Sequence, residues 1–213
     1  MAIKLVVLDG YGVIYDELGV EEPTYAFARA KGCALSEDEF FALRFPSSIG
    51  QGTSAEFWKS VGVEGDVGDI IDELQSQYLR LMPGLLQFLE QMREMKLLVA
   101  CCSGDGAEES RRHRQRYGLE EWISPWVVSG EVGFRKPSSE IFQIVLDRAG
   151  VQASDCVLVD DRPYMLDVAK SMGFATVLFR SPGDAKGDGA DCGYPCVSSF
   201  DELVAFMRAQ GWI

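Results

Sequence analysis

Ile3-Lys-Leu-Val-Val-Leu-Asp9 is a short apolar run that stops on a carboxylate. Three later runs also end abruptly on a polar residue: Leu97-Leu-Val-Ala-Cys-Cys102 at Ser103, Cys156-Val-Leu-Val159 at Asp160, and Ala175-Thr-Val-Leu-Phe179 at Arg180. Each is apolar at successive rather than alternate positions, as a strand buried on both faces of a parallel sheet requires. Between the runs, Leu85, Phe88, Leu89, Met92 and Met95 recur at helical spacing. Ile141, Ile144, Val145 and Leu146 do so before Gly150, and Leu166, Ala169 and Met172 before Gly173. Strand and helix therefore alternate, which predicts a doubly wound α/β parallel sheet. Ligands of such sheets bind at the carboxyl ends of the strands, and Asp9, Ser103, Asp160 and Asp161 fall there.

Residues 17–82 read differently. Tyr25-Ala-Phe-Ala-Arg-Ala-Lys31, Ser36-Glu-Asp-Glu-Phe-Phe-Ala-Leu43 and Asp69-Ile-Ile-Asp-Glu-Leu74 have helical patterns opened by capping-type residues, without a convincing buried strand. The expected organisation is an α/β core from residues 1–16 and 83–213, interrupted by a small helical unit over 17–82, with Met82-Pro83-Gly84 marking the return. Ser181-Pro-Gly-Asp-Ala-Lys-Gly-Asp-Gly-Ala190 reads as a loop.

The bulk composition narrows the function classes. With 47% hydrophobic and 25% charged residues the 213-residue chain is an ordinary globular sequence, long enough for a real core. No apolar run approaches the roughly 20 residues that span a bilayer, and the N-terminus turns acidic too early for a secretory signal, so a cytoplasmic protein is expected. A net charge of −13 opposes binding to nucleic acid or anionic membranes. An anionic small-molecule substrate would instead be held by local cations and a metal. The six cysteines show no CxxC spacing and there is a single histidine, His113, which excludes a usual zinc constellation and points to reduced thiols.

Four signals carry chemistry, each with a plainer alternative. Asp9, delivered by a strand onto the turn Gly10-Tyr11-Gly12, is placed to attack phosphorus or carbon and form a covalent intermediate; the alternative is a turn cap. Ser103-Gly104 offers a hydroxyl and amides to an anionic oxygen, or caps a helix starting near Ala107. Lys136, in Gly133-Phe-Arg-Lys-Pro137, either neutralises the reacting groups or belongs to a solvated basic loop. Asp160-Asp161 places two like charges side by side, a cost that a hard divalent cation such as Mg²⁺ removes. Arg44, in the helical stretch, is either a surface residue or reaches a substrate anion. The run Ser110-Arg-Arg-His-Arg-Gln-Arg116 reads as a solvated helix face.

In this order, a nucleophilic Asp, a hydroxyl, a Lys-Pro and an Asp-Asp resemble the four motifs of the haloacid dehalogenase superfamily, over nearly the whole chain. Residues 17–82 stand where that superfamily's helical cap follows the first motif, the C1-capped arrangement. The resemblance implies that Asp9 is the nucleophile and that Ser103 and Lys136 bind the transferring group. It also implies that Mg²⁺ sits between Asp9, the backbone carbonyl of Tyr11 and one or both of Asp160 and Asp161.

Phosphatases of the superfamily usually read Asp-x-Asp, the second Asp protonating the leaving alcohol; here Tyr11 stands in its place. Asp9-Gly-Tyr11-Gly12 is similar to the first motif of 2-haloacid dehalogenases, whereas Asp160-Asp161 is not similar to their fourth. Val13-Ile-Tyr-Asp16, Arg135-Lys-Pro137 and Asp160-Asp161 together resemble bacterial glucose-1-phosphatases, which also lack the second Asp. The resemblance thus implies a Mg²⁺-dependent hydrolase of a small phosphorylated metabolite. The other readings are a 2-haloacid dehalogenase and a catalytically impaired binding module.

Overall fold

The computed structural model describes residues 2–20, 22–180 and 193–213. Its strands are β1 (Leu5–Leu8), β2 (Tyr15–Asp16), β3 (Arg80–Leu81), β4 (Leu98–Ser103), β5 (Trp126–Val128), β6 (Cys156–Asp160), β7 (Ala175–Phe179) and β8 (Cys196–Val197). Its α-helices are α1 (Pro23–Ala30), α2 (Glu37–Ser48), α3 (Ser54–Ser60), α4 (Val67–Tyr78), α5 (Leu85–Glu94), α6 (Ala107–Arg116), α7 (Ser129–Val132), α8 (Ser139–Ala149), α9 (Pro163–Ser171) and α10 (Phe200–Ala209).

Six strands form one sheet in the order β5-β4-β1-β6-β7-β8, every neighbouring pair parallel. The central strand shows why its run is apolar at every position. Leu5 and Val7 enter one hydrophobic cluster and Val6 and Leu8 the other, so both faces are covered. Each such burial contributes about 1.5–3 kcal/mol. Helices α5 and α10 close one face, with Phe88 and Phe200 rings 4.8 Å apart, and Phe142 of α8 and Leu166 of α9 enter the cluster on the other.

Helices α1–α4 occupy the chain between β2 and β3 and add no strand to the sheet. Ser36 with Glu39 and Thr53 with Glu56 form reciprocal capping boxes at α2 and α3, and Asp66 caps α4. Phe27 packs edge to face on Trp58 and Phe40 on Phe57, with Phe57 tilted against Trp58, and these rings run into the cluster on one side of the sheet.

Short strands add to what the apolar runs predict, and one expectation is corrected. The inserted stretch ends in β3, two residues that are not buried, which pairs antiparallel with β2 and ties both ends of the inserted helices together, with an Arg80–Asp16 ion pair at 2.9 Å. Strands β5 and β8, three and two residues long, were too short to show a period. The run 110–116 is not simply a solvated face: Ser110 and His113 are buried, and Arg114 pairs with Glu120 and Glu131. The loop expected over 181–190 and Cys192 lie outside the described residues; among the other cysteines four are buried and Cys196 is exposed. No helix among the described residues is long and apolar enough to cross a membrane.

Candidate active site

Asp9 follows β1 directly, and its amide continues the sheet by donating to the Val159 carbonyl (3.0 Å). The Gly10 amide donates to its Oδ1 at 2.7 Å. Both glycines of the turn are needed for what approaches it. A Cβ on Gly10 would lie 2.7 Å from Ser103 Oγ; Gly12 has φ +84°, and a Cβ there would lie 2.5 Å from Asp161 Oδ2. The Gly-Tyr-Gly turn therefore lets a hydroxyl from the end of β4 and a carboxylate from the end of β6 close on Asp9 from two sides.

Lys136, from the loop between α7 and α8, supplies the cation. Its side chain is 1% exposed and its Nζ lies 2.7 Å from Asp9 Oδ1, 2.6 Å from Asp160 Oδ2 and 2.9 Å from the Cys102 carbonyl. The Asp9 carboxylate and the Cys102 carbonyl accept hydrogen bonds from the ammonium, and Asp160 meets it as an ion pair. Burial opposes the charge on Lys136, but Asp160 and Asp9 override it and hold its pKa well above the ordinary value. Asp160, the last residue of β6, has its carboxyl pushed up, to about 7, by burial first and then by Asp9, against the pull of Lys136.

Ligand oxygens of Asp9, Asp160 and Asp161 can all lie within 4.8 Å of one another. Three carboxylates, with Lys136 between two of them, meet in a largely buried corner made only of hard oxygen donors. That set fits a hard divalent cation.

Above this corner opens a cavity of about 410 Å³. Asp9, Tyr11, Ser103, Gly104 and Lys136 line its floor, and Phe41, Arg44 and Phe45 of α2 line it from the inserted helices. Six of the eight residues singled out from the sequence thus share one cavity, while Asp160 and Asp161 meet Asp9 beside it. Ser103 does not cap α6; the residue before that helix is Gly106, without a side-chain cap. Arg44 is no surface arginine, being only 18% exposed in its side chain and bonded through Nη2 to Asp105 Oδ1 at 3.2 Å.

Asp105 escaped the sequence reading. Its carboxylate, 2% exposed, accepts from Arg44 and from the Gly106 amide (2.9 Å), and lies 3.4 Å from His113 Nδ1. His113 in turn sits 3.5 Å from the Tyr11 hydroxyl. Burial, then Asp105, raises the Tyr11 pKa well above the usual phenol value, so Tyr11 stays a neutral phenol. One turn along α6, Glu109 accepts from Ser54 of α3 at 2.9 Å, its pKa raised by burial and then by Asp105. The available signal was local: Ser103-Gly-Asp105-Gly106 puts a second polar side chain on the same strand-end loop.

A family model described as haloacid dehalogenase-like hydrolase matches residues 3–173. The chain is 30% identical over 119 residues to a ribulose-1,5-bisphosphate 5-phosphatase of Halopiger xanaduensis, covering 54% of this chain and 50% of that one. It is 29% identical over 142 residues to a phosphonoacetaldehyde hydrolase of Bordetella avium, covering 65% and 50%. The chain thus spans about half the length of these curated relatives. Its fold is similar to that of a HAD family enzyme of Bacteroides thetaiotaomicron in complex with magnesium, with a TM-score of 0.72 at 22% identity over 89% of this chain and 98% of that one. It is also similar to L-2-haloacid dehalogenase of Xanthobacter autotrophicus, with a TM-score of 0.66 at 17% identity over 97% and 98%.

Proposed function

We propose, from the premise that this chain belongs to the haloacid dehalogenase-like hydrolases, that it is a Mg²⁺-dependent phosphatase of a small phosphorylated metabolite, of the C1-capped, glucose-1-phosphatase-like kind. The observation that carries this reading is the meeting of three carboxylates, all hard oxygen donors, at Asp9. A metal-free displacement at carbon has no use for such a cluster, whereas phosphoryl transfer needs a dication to offset the charge of the phosphate oxygens. Asp9, Asp160, Asp161 and the Tyr11 carbonyl would hold Mg²⁺, which supplies that neutralisation when bound.

The residues divide the work as follows. Asp9 attacks phosphorus, forming an aspartyl phosphate as the bond to the leaving oxygen breaks, and the departing alkoxide takes a proton from water. Lys136 keeps the Asp9 carboxylate oriented and faces the transferring group, while Ser103 and the Gly104 amide hold its oxygens. A second water then attacks the same phosphorus, gives its proton to solvent, and releases inorganic phosphate and free Asp9. Tyr11, a neutral phenol beside His113, contributes no carboxylic acid for the leaving group. The inserted helices act as the cap and present Arg44 to the substrate.

The test is phosphate release from p-nitrophenyl phosphate and a panel of phosphorylated metabolites. Turnover is expected to need Mg²⁺, to vanish with a chelator and return with the metal, and to fall at least about 10⁴-fold in Asp9→Asn. Chelator-resistant halide release from 2-chloropropionate would replace the reading with dehalogenation. No turnover of any of these compounds would replace it with a binding module.

A further inference from the structure

The cavity wall away from the metal corner carries three arginines, Arg44, Arg135 and Arg162, but no surplus of positive charge. Arg44 is bonded to Asp105 and Arg162 to Glu22, at 3.2 and 3.4 Å, while Arg135 lies over the Phe45 ring. Apart from Asp9, the same wall includes four carboxylates, so it is slightly acidic although it is rich in guanidinium donors. The Arg44–Asp105 contact is the most enclosed of these pairs, at 18% and 2% side-chain exposure, and it joins α2 to the loop after β4. Asp105 is built in from the core side by the Gly106 amide and His113, so its charge cannot turn away from the arginine.

We infer that Asp105 is a specificity-determining residue: by neutralising Arg44 it leaves the cavity able to hydrogen-bond a neutral, hydroxylated leaving group and unable to favour a second anion on the substrate. The inference rests on the phosphatase reading and narrows its substrate class to esters whose only anionic group is the phosphate being removed. Arg44 has five donors, one of them engaged by Asp105, and the others serve hydroxyl groups without offering an uncompensated charge. A carboxylate or second phosphate brought to this wall meets four carboxylates, two of them paired with the wall's own arginines, and like charges repel.

Two probes isolate the effect, because glycerol 3-phosphate and 3-phosphoglycerate carry the same primary phosphate ester and differ in a hydroxymethyl against a carboxylate. Their binding is measured by calorimetry with Mg²⁺ present in an Asp9→Asn background, which removes turnover. Glycerol 3-phosphate is expected to bind at least about tenfold more tightly. Adding Asp105→Asn, which exposes the charge of Arg44, should move the ratio about tenfold toward the acid; adding Arg44→Met, which exposes the charge of Asp105, should move it further away. A merely structural contact would shift both variants in the same direction. That result, an even ratio in the Asp9→Asn protein, or no binding of either probe would overturn the inference. Failure of the wild-type protein to release phosphate from p-nitrophenyl phosphate strikes the phosphatase reading instead.

Discussion

The corner around Asp9 gathers three carboxylates on one ammonium, whereas the seam around Asp105 gives the buried guanidinium of Arg44 a carboxylate of its own. The two lie on the same cavity and are equally dry, so exposure does not explain the contrast. The first is a set of hard oxygen donors that suits a cation from outside. The second is settled within the chain and needs nothing. Their position in the fold agrees with this division: the acid-rich corner is carried by the ends of β1 and β6, the two central strands of the sheet, and the balanced seam lies where inserted helices meet the core.

Lys136→Met should break the contrast most severely. It removes the ammonium from between Asp9 and Asp160, so kcat should fall about 10³-fold. The metal-free protein should lose about 3–5 kcal/mol. Added Mg²⁺ should then raise its melting temperature by more than it raises that of the wild type, as thermal scans with and without the metal would show. Gly12→Ala comes next, because its Cβ would meet the Asp161 carboxylate at a backbone conformation that alanine disfavours. A melting temperature about 5 °C lower and a smaller Mg²⁺-induced shift are expected. Glu109→Gln gives the smallest effect and sharpens the seam. A carboxyl whose folded pKa is raised loses stability as pH rises from its unfolded value, near 4.3, through the folded one. Glutamine removes that loss while still accepting from Ser54. The melting temperature of the variant minus that of the wild type should therefore grow by about 2–4 °C between pH 4 and 7.

The sheet and the acid-rich corner were legible in the sequence for the same reason. Strands buried on both faces must be apolar throughout, so Asp9, Ser103 and Asp160 stand out as the places where each run stops. The edge strands β5 and β8 are too short to set a pattern, and β2 and β3 become strands only by finding each other across the inserted helices. The seam was hidden because it is made of distant partners. Arg44 reads as a surface residue until Asp105, far along the chain, is brought beside it, and His113 reads as part of a basic helix face until the turn at Tyr11 is seen to lie against it. Asp105 was overlooked because the hydroxyl two residues before it already accounted for the loop.

The pairing of β1 with β6, in which Leu8 stands opposite Val159, joins two segments separated by most of the chain. Asp9 and Asp160 extend that same register, so the two acids become neighbours only through a contact between segments distant in sequence. Neither segment carries their mutual repulsion on its own; it enters with the pairing that joins them, as a cost of the sheet's long-range topology.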